Sequence, residues 1–206
     1  MVMHRWLAAS LVFCWVIGFA GVGPASANWY GTTGVAGTCR GGNITDNHDM
    51  YFVYESTKAA VDNASTWVRT NLLDPTDLDT YMVSAEGQHT DVVVLDRYYT
   101  DYCNQNWSRD GWTGTLGYTT CEATSSNDRC DKAVVRVSDT VIDFITTDGD
   151  RELLCHEIGH AIGLGHRSAA PGCMYQPFSG EEPHYTAHDR DHIDSDWESE
   201  PQQCPC

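Results

Sequence analysis

The segment Leu153–Tyr175, LLCHEIGHAIGLGHRSAAPGCMY, places three histidines and a glutamate within eleven residues, from 156 to 166. Thr147 and Asp148, just upstream, are residue types that favour a helix N-cap, and acidic residues follow in the first turn. Apolar residues then recur at helical spacing, at Leu153, Leu154, Ile158, Ala161 and Ile162. The sequence therefore predicts a helix that starts at about Thr147 and carries the first two histidines.

His156 and His160 are four residues apart, so they lie on one face of that helix, about 6 Å apart along its axis. This spacing lets two imidazole nitrogens converge on one metal ion at about 2.0–2.1 Å. Glu157 points about 100° further round the helix, which suits a base acting on a water molecule better than a third ligand. The HExxH pattern therefore predicts two zinc ligands and a general base.

The residues after the helix supply a third ligand. Gly163 and Gly165 can adopt positive φ, which would end the helix and turn the chain back so that His166 reaches the metal. Three neutral histidines leave a coordination position open, as in catalytic zinc sites, whereas structural sites have four protein ligands. Cys155 is the alternative ligand, but on an ideal helix it points about 120° away from the mid-line of the two histidines. A catalytic zinc is the better interpretation.

Residues 1–27 have the pattern of a secretory signal peptide. His4 and Arg5 precede an apolar run, and Ala25 and Ala27 occupy the positions expected before a cleavage site. A membrane anchor is the alternative, but the run is short for a spanning helix. We therefore expect a secreted, extracellular protein whose residues 28–206 form a single catalytic domain, with no membrane association after cleavage.

Charge and cysteine content constrain the partners and the compartment. The chain has 12 basic and 29 acidic residues, a net charge of −17, and loss of Arg5 would make it −18. This charge argues against nucleic acid and anionic membranes as partners. It also offers carboxylates for Ca²⁺, although solubility alone explains it. Of the nine cysteines, all but Cys14 lie beyond the signal segment, and we expect disulfides among those eight.

Hydrophobic periodicity predicts a mixed α/β domain. The predicted strands are DMYFVYES (49–56), TDVVVLDRYY (90–99), GTLGYTTC (114–121) and KAVVRVSD (132–139). Predicted helices cover 57–73, the segment after Thr147 and 185–197, while VIDFIT (141–146) fits either a strand or the approach to a helix. Cys121 and Cys130 would flank a hairpin between two of the strands, which makes them a candidate disulfide pair.

HEIGHAIGLGH, followed by Met174 and Tyr175, resembles the metzincin clan of zinc endopeptidases, with its HExxHxxGxxH motif and Met-turn. GLGH and MY are most similar to matrixins and to small secreted bacterial relatives. The resemblance implies a twisted mixed β-sheet, an active-site helix, and a small C-terminal subdomain that holds the Met-turn and a terminal helix. It also implies that Met174 packs beneath a single catalytic Zn²⁺ and that Glu157 is the general base.

The resemblance further implies a substrate cleft. The S1′ wall would be formed by Tyr175, Gln176, Pro177 and Phe178. An extended protein or peptide substrate would add a strand to a sheet edge, for which the candidate residues are Gly114, Thr115, Leu116, Gly117 and Tyr118. We expect the enzyme to be a monomer.

If Met174 lies beneath the zinc, the neighbouring Cys173 passes close under the active-site helix. Cys155 leaves that helix on a side that the ligands do not occupy, so the resemblance implies a Cys155–Cys173 disulfide with a Cα separation of about 5–6 Å.

The chain also departs from the matrixin pattern. We find neither a cysteine-switch segment nor the histidines of a second, structural zinc site, although His89 and Asp91 are suggestive. His184, His188 and His192 form another cluster, for which a solvated helix face is the simpler explanation.

Two other functions are compatible with the sequence. One is a zinc hydrolase that acts on a non-protein substrate, and the other is a non-catalytic secreted binding protein with the same fold. The presence of Glu157 favours catalysis, because a protein without activity is free to lose its general base.

Overall fold

The computed structural model describes residues 36–37, 39–109, 113–142, 145–168, 171–176 and 183–197. The predicted signal segment 1–27 lies outside these residues, as do Pro177 and Phe178 of the predicted S1′ wall.

Five strands form one mixed sheet in the order β2-β1-β3-β5-β4. Their bounds are β1 Asp49–Tyr54, β2 Asp79–Met82, β3 Val92–Arg97, β4 Gly117–Thr124 and β5 Cys130–Ser138. The pairings among β2, β1, β3 and β5 are parallel, whereas β4 runs antiparallel to β5. The four predicted strand segments correspond to β1, β3, β4 and β5, while β2 was not predicted.

The helices follow the predicted order along the chain. They are α1 Ala59–Val68, α2 Asp139–Ile142, α3 Thr147–Ala161 and α4 Ala187–Trp197. A π-helical segment, Arg69–Leu73, extends α1, and a short 3-10 helix covers Tyr102–Asn104. The segment that fitted either a strand or a helix begins in α2. The mixed α/β class predicted from the sequence is confirmed.

The main core lies between the sheet and the helices. The fully buried Phe52 and Val94 of the sheet belong to one apolar cluster with Val61 of α1 and with Leu154 and Ile158 of α3. On the opposite face of the sheet, the described residues form a small apolar cluster centred on Val53, Val93 and Val134. This one-sided arrangement fixes α3, and therefore its histidines, against the sheet.

Side-chain caps define the starts of α3 and α4. Thr146, rather than the predicted Thr147 or Asp148, is the N-cap of α3, and its hydroxyl accepts a hydrogen bond from the Gly149 amide at 3.2 Å. Thr186 and Asp189 form a capping box at α4, since each side chain accepts from the other residue's backbone amide, at 3.3 and 2.9 Å. The start of each helix is therefore fixed by the side chain of a capping residue.

Within the part of the chain that the structure describes, three cysteine pairs lie at disulfide distance. Their Cα separations are 5.9 Å for Cys155–Cys173, 5.7 Å for Cys121–Cys130 and 5.2 Å for Cys39–Cys103. The first two pairs are those singled out in the sequence. The third joins the start of the described chain to the 3-10 helix.

Within the described residues, no helix combines the length and the apolar character that a membrane span needs.

Candidate metal centre and active site

Three histidine side chains converge on one point beside α3. The Nε2 atoms of His156 and His160 are 3.1 Å apart. The Nε2 atom of His166 lies 3.1 Å from that of His156 and 3.0 Å from that of His160. His156 and His160 reach this point from successive turns of α3. His166 returns to it after a turn at Gly163, which has a φ of +106°. The structure thus brings together the three ligands predicted from the sequence.

The turn that returns His166 depends on one of the two glycines named in the sequence. A Cβ at Gly163 would meet the Cα of Ile44 at 2.8 Å, so neither its φ nor its surroundings suit another residue. Gly165 is not among the residues with positive φ. The prediction that both glycines adopt positive φ is therefore wrong for Gly165. Of the two, Gly163 alone has a left-handed conformation.

Backbone carbonyls fix the orientation of two of the rings. His156 Nδ1 lies 2.7 Å from the Cys173 carbonyl oxygen, and His160 Nδ1 lies 2.7 Å from that of Leu164. A carbonyl can only accept, so each Nδ1 carries the hydrogen and each Nε2 presents a lone pair. Lone pairs that face one another at this distance repel, and a shared cation would remove the repulsion.

The donor set suits zinc. Nitrogen ligands at 2.0–2.1 Å in tetrahedral geometry are about 3.3 Å apart, close to the separations of these three nitrogens. Burial lowers the pKa of His156 to about 4 and lowers those of His160 and His166 as well. The rings are therefore neutral at physiological pH, which is the protonation state that binds metal.

Glu157 lies beside this centre and is buried, with 5% of its surface exposed. Its Oε2 is 2.9 Å from the hydroxyl of Thr119 on β4. Burial raises the pKa of Glu157 to about 8, and the Thr119 hydrogen bond opposes that rise. A cation held by the histidines would favour the ionised carboxylate. A base in such surroundings can both take up and release a proton near neutral pH.

Met174 packs beneath α3. Its side chain is fully buried, and a Cβ built on Gly159 would lie 2.3 Å from its sulfur. Gly159 stands between the two helical ligands, so the missing side chain is what allows the methionine to reach this position. The Arg167 amide donates to the Met174 carbonyl at 2.8 Å, which ties the segment that carries Met174 to the loop that carries His166.

Tyr185 adds a second support that was not predicted from the sequence. It is 1% exposed, and its hydroxyl donates to the Cys155 carbonyl at 2.9 Å, next to the first ligand. The contact spans 30 residues of sequence. No local pattern could have indicated it.

Strand β4 is the edge of the sheet nearest to Glu157. A Cβ on Gly117 would lie 2.6–2.8 Å from the Glu157 side chain, so strand and carboxylate are in close contact. Among the described residues, β4 pairs with β5 alone. The amide and carbonyl of Cys121 face outward, where they bond to Arg40 and Gly37. By strand alternation, Gly117 and Thr119 present their backbone groups on the same outer edge.

The other predicted cleft residues have different surroundings. Thr115 lies before β4, and its backbone bonds to Asn106 and Ser108, at 2.7 and 2.9 Å. Gln176 is exposed, and its side-chain nitrogen lies 3.0 Å from His166 Nε2. Tyr175 is half-buried and bridges to Arg167. Their part in substrate binding stays a prediction.

One further group of potential metal ligands occurs in the described residues. His48, Asp49 and Asp79 bring one ligand atom each to within 4.8 Å of one another. His89 belongs to neither group, nor does the cluster of His184, His188 and His192, although the His188 and His192 rings are only 4.6 Å apart.

Neither a scan against protein-family models nor a search of curated proteins finds a match to this chain.

Proposed function

We propose that this protein is a secreted zinc endopeptidase of the metzincin type. The observation that carries the proposal is the convergence of three neutral histidine nitrogens, 3.0–3.1 Å apart, beside a buried glutamate. His156, His160 and His166 would hold the metal, and among the described residues this group contains no fourth His, Cys, Asp or Glu, which favours catalysis over a structural role.

The proposed reaction is hydrolysis of a peptide bond. Zinc at the three histidines would polarise the scissile carbonyl and lower the pKa of a water molecule. Glu157 would accept one proton from that water as the water oxygen bonds to the carbonyl carbon of the peptide. The carbon–nitrogen bond then breaks, and Glu157 passes the proton to the leaving amine. Glu157 is thus ionised again at the end of the reaction.

An extended peptide is the substrate that best matches the surroundings. The outer edge of β4 offers the backbone groups of Gly117 and Thr119 directly beside Glu157. A peptide that pairs with this edge would lie in an extended conformation with its scissile bond near the metal. Interior positions of a protein chain can bind in this way, which favours an endopeptidase.

Two further features support the metzincin assignment and the compartment. Met174 lies under α3 between the ligands, as expected of a Met-turn methionine. Tyr185, just before α4, and Ile193 of α4 belong to the same buried apolar cluster as Met174. Three cysteine pairs at disulfide distance suit an oxidising, extracellular compartment.

Degradation of unfolded protein tests the proposal. The purified protein, with and without a chelator, is incubated with casein and gelatin, and zinc is then returned to the chelated sample. We expect cleavage that the chelator abolishes and zinc restores. Intact casein and gelatin in the presence of bound zinc would contradict the proposal and favour a non-protein substrate or a binding function.

A further inference from the structure

Thr119 connects the sheet to the proposed general base. Its hydroxyl oxygen lies 2.9 Å from Oε2 of Glu157 and 2.7 Å from the backbone carbonyl oxygen of the same residue. Thr119 and Glu157 are both buried, at 3% and 5% exposure. Water therefore has little access to this contact, and the hydroxyl is the principal partner of the carboxylate.

The hydroxyl has one hydrogen for two acceptors. When Glu157 is ionised, the carboxylate is the stronger acceptor and takes that hydrogen. The backbone carbonyl oxygen of Glu157, at 2.7 Å, is the second acceptor within reach of this hydroxyl, so both acceptors belong to the same residue.

The strand holds this hydroxyl in a fixed place. Thr119 pairs with Val135 in the antiparallel ladder between β4 and β5. Gly117, two residues earlier on the same face of β4, brings the backbone against the Glu157 carboxyl group, since even a Cβ there would lie within 2.8 Å of it. Gly117 therefore limits where the carboxyl group can move, and Thr119 bonds it where it stands.

We infer that Thr119 is a positioning residue for hydrolysis, and that its hydroxyl holds the Glu157 carboxylate against β4, in the place from which it acts as the base. This inference rests on the proposed function. Because a substrate strand would pair with the backbone of Thr119 itself, the same residue links peptide binding to the alignment of the base.

Two substitutions at this position separate the hydroxyl from the packing. Thr119→Val removes the hydroxyl at nearly constant volume, and Thr119→Ser keeps it. Thr120→Val is the matched control: Thr120 is the next residue of β4, is also fully buried, and bonds Arg136 at 2.7 Å on the other face of the sheet. Arg136 keeps Val134 and Glu122 as partners in that variant.

The measurements are kcat and KM on an internally quenched peptide, zinc affinity by chelator competition, and the orientation of Glu157 in a crystal structure of each variant without metal.

Thr119→Val should lower kcat about 10- to 100-fold, as expected for a hydrogen bond to a charged group. KM and zinc affinity should change less than about threefold, and the Glu157 carboxyl group should leave its present position. Thr119→Ser and Thr120→Val should keep kcat within about threefold of the wild-type value.

A Thr119→Val variant with wild-type kcat and an unmoved Glu157 would overturn the positioning role while leaving the proposed function intact. Equal losses in Thr119→Val and Thr120→Val would also overturn it, because the effect would then come from disturbing β4. A wild-type protein that binds zinc but cleaves no peptide would overturn both proposals.

Discussion

Two glycines shape the site at the scale of single residues, because each makes room for a side chain of another element. Gly159 admits the Met174 sulfur beneath the helix, and Gly117 lets β4 run against the Glu157 carboxyl group. A Cβ at either place would come within 2.8 Å of its neighbour. The ligands are therefore held between a methionine below and a strand at the side.

The convergence of the three histidines was predictable because their spacing is local. Four residues on a helix bring His156 and His160 together, and a glycine turn returns His166. The contact of Thr119 with Glu157 joins residues 38 apart, so no sequence period points to it. The same holds for Gly159, whose role depends on the depth at which Met174 packs.

His166→Ala should weaken zinc binding, because it removes one of three ligands from the centre. Metal content after dialysis against a fixed free-zinc concentration measures this effect, and we expect a loss in affinity of at least about 100-fold. His192→Ala is the control, since His192 belongs to a histidine pair outside the centre. Full zinc content in His166→Ala would show that a different residue completes the site.

At the scale of elements, the Cys155–Cys173 pair connects α3 to the segment that carries Met174. Cys173 also offers its carbonyl to His156 Nδ1, so the pair stands directly behind the first ligand. Tyr185 joins the same point by bonding the Cys155 carbonyl at 2.9 Å. The C-terminal part of the chain is thus fixed to the active-site helix from below.

Removal of this link should affect both stability and metal binding. The double variant Cys155→Ala, Cys173→Ala opens a loop with a sequence separation of 18 residues, for which the chain-entropy model gives about 3 kcal/mol. Denaturant unfolding and zinc competition measure the two effects. Cys121→Ala, Cys130→Ala is the matched control, because that pair joins β4 to β5 and does not link α3 to the segment that carries Met174. We expect both variants to lose stability and only the first to lose zinc affinity. Unchanged zinc affinity in the first variant would contradict a role for the link in the site.

Elements with strong periodicity were predictable, and those that depend on neighbours were not. β1, β3 and β5 are apolar runs, and α1 and α3 have a clear helical face. β2 has the sequence DTYM, which is only partly buried, and it becomes a strand because β1 offers it a parallel edge. The N-cap of α3 moved by one residue to Thr146, whose hydroxyl is the one that reaches the Gly149 amide.

At the scale of the whole molecule, the many acidic residues include a buried one, Asp91, just before β3. This residue is 5% exposed, and its carboxylate accepts the Tyr51 amide at 2.7 Å. Burial raises the pKa of Asp91 to about 7, the Tyr51 hydrogen bond opposes the rise, and Asp46 and Asp131 add to it. The folded protein therefore binds this proton more tightly than the unfolded chain does.

The sign of the resulting pH dependence follows from linkage. A pKa that is higher in the folded state gives a contribution to stability that is complete below about pH 4 and is lost as pH rises to about 7. Asp91→Asn mimics the protonated form and still accepts from Tyr51. We expect it to raise the free energy of unfolding by one to a few kcal/mol at pH 8, on the order set by such a pKa difference, and to leave it nearly unchanged at pH 4.

Urea unfolding at the two pH values measures this difference, with exposed Asp101 changed to asparagine as the control. Equal effects of Asp91→Asn at pH 4 and pH 8 would contradict a buried, titrating Asp91.

The turnover of Glu157→Gln, with zinc content measured in the same sample, tests most directly whether Glu157 is the general base of a zinc peptidase. The amide keeps the size of the side chain and can still receive the Thr119 hydrogen bond, but it cannot take a proton from water. We expect one zinc per chain, a wild-type unfolding curve and a kcat on a quenched peptide that is lower by about 10²- to 10⁴-fold. A Glu157→Gln protein that keeps a tenth or more of wild-type turnover would contradict this role.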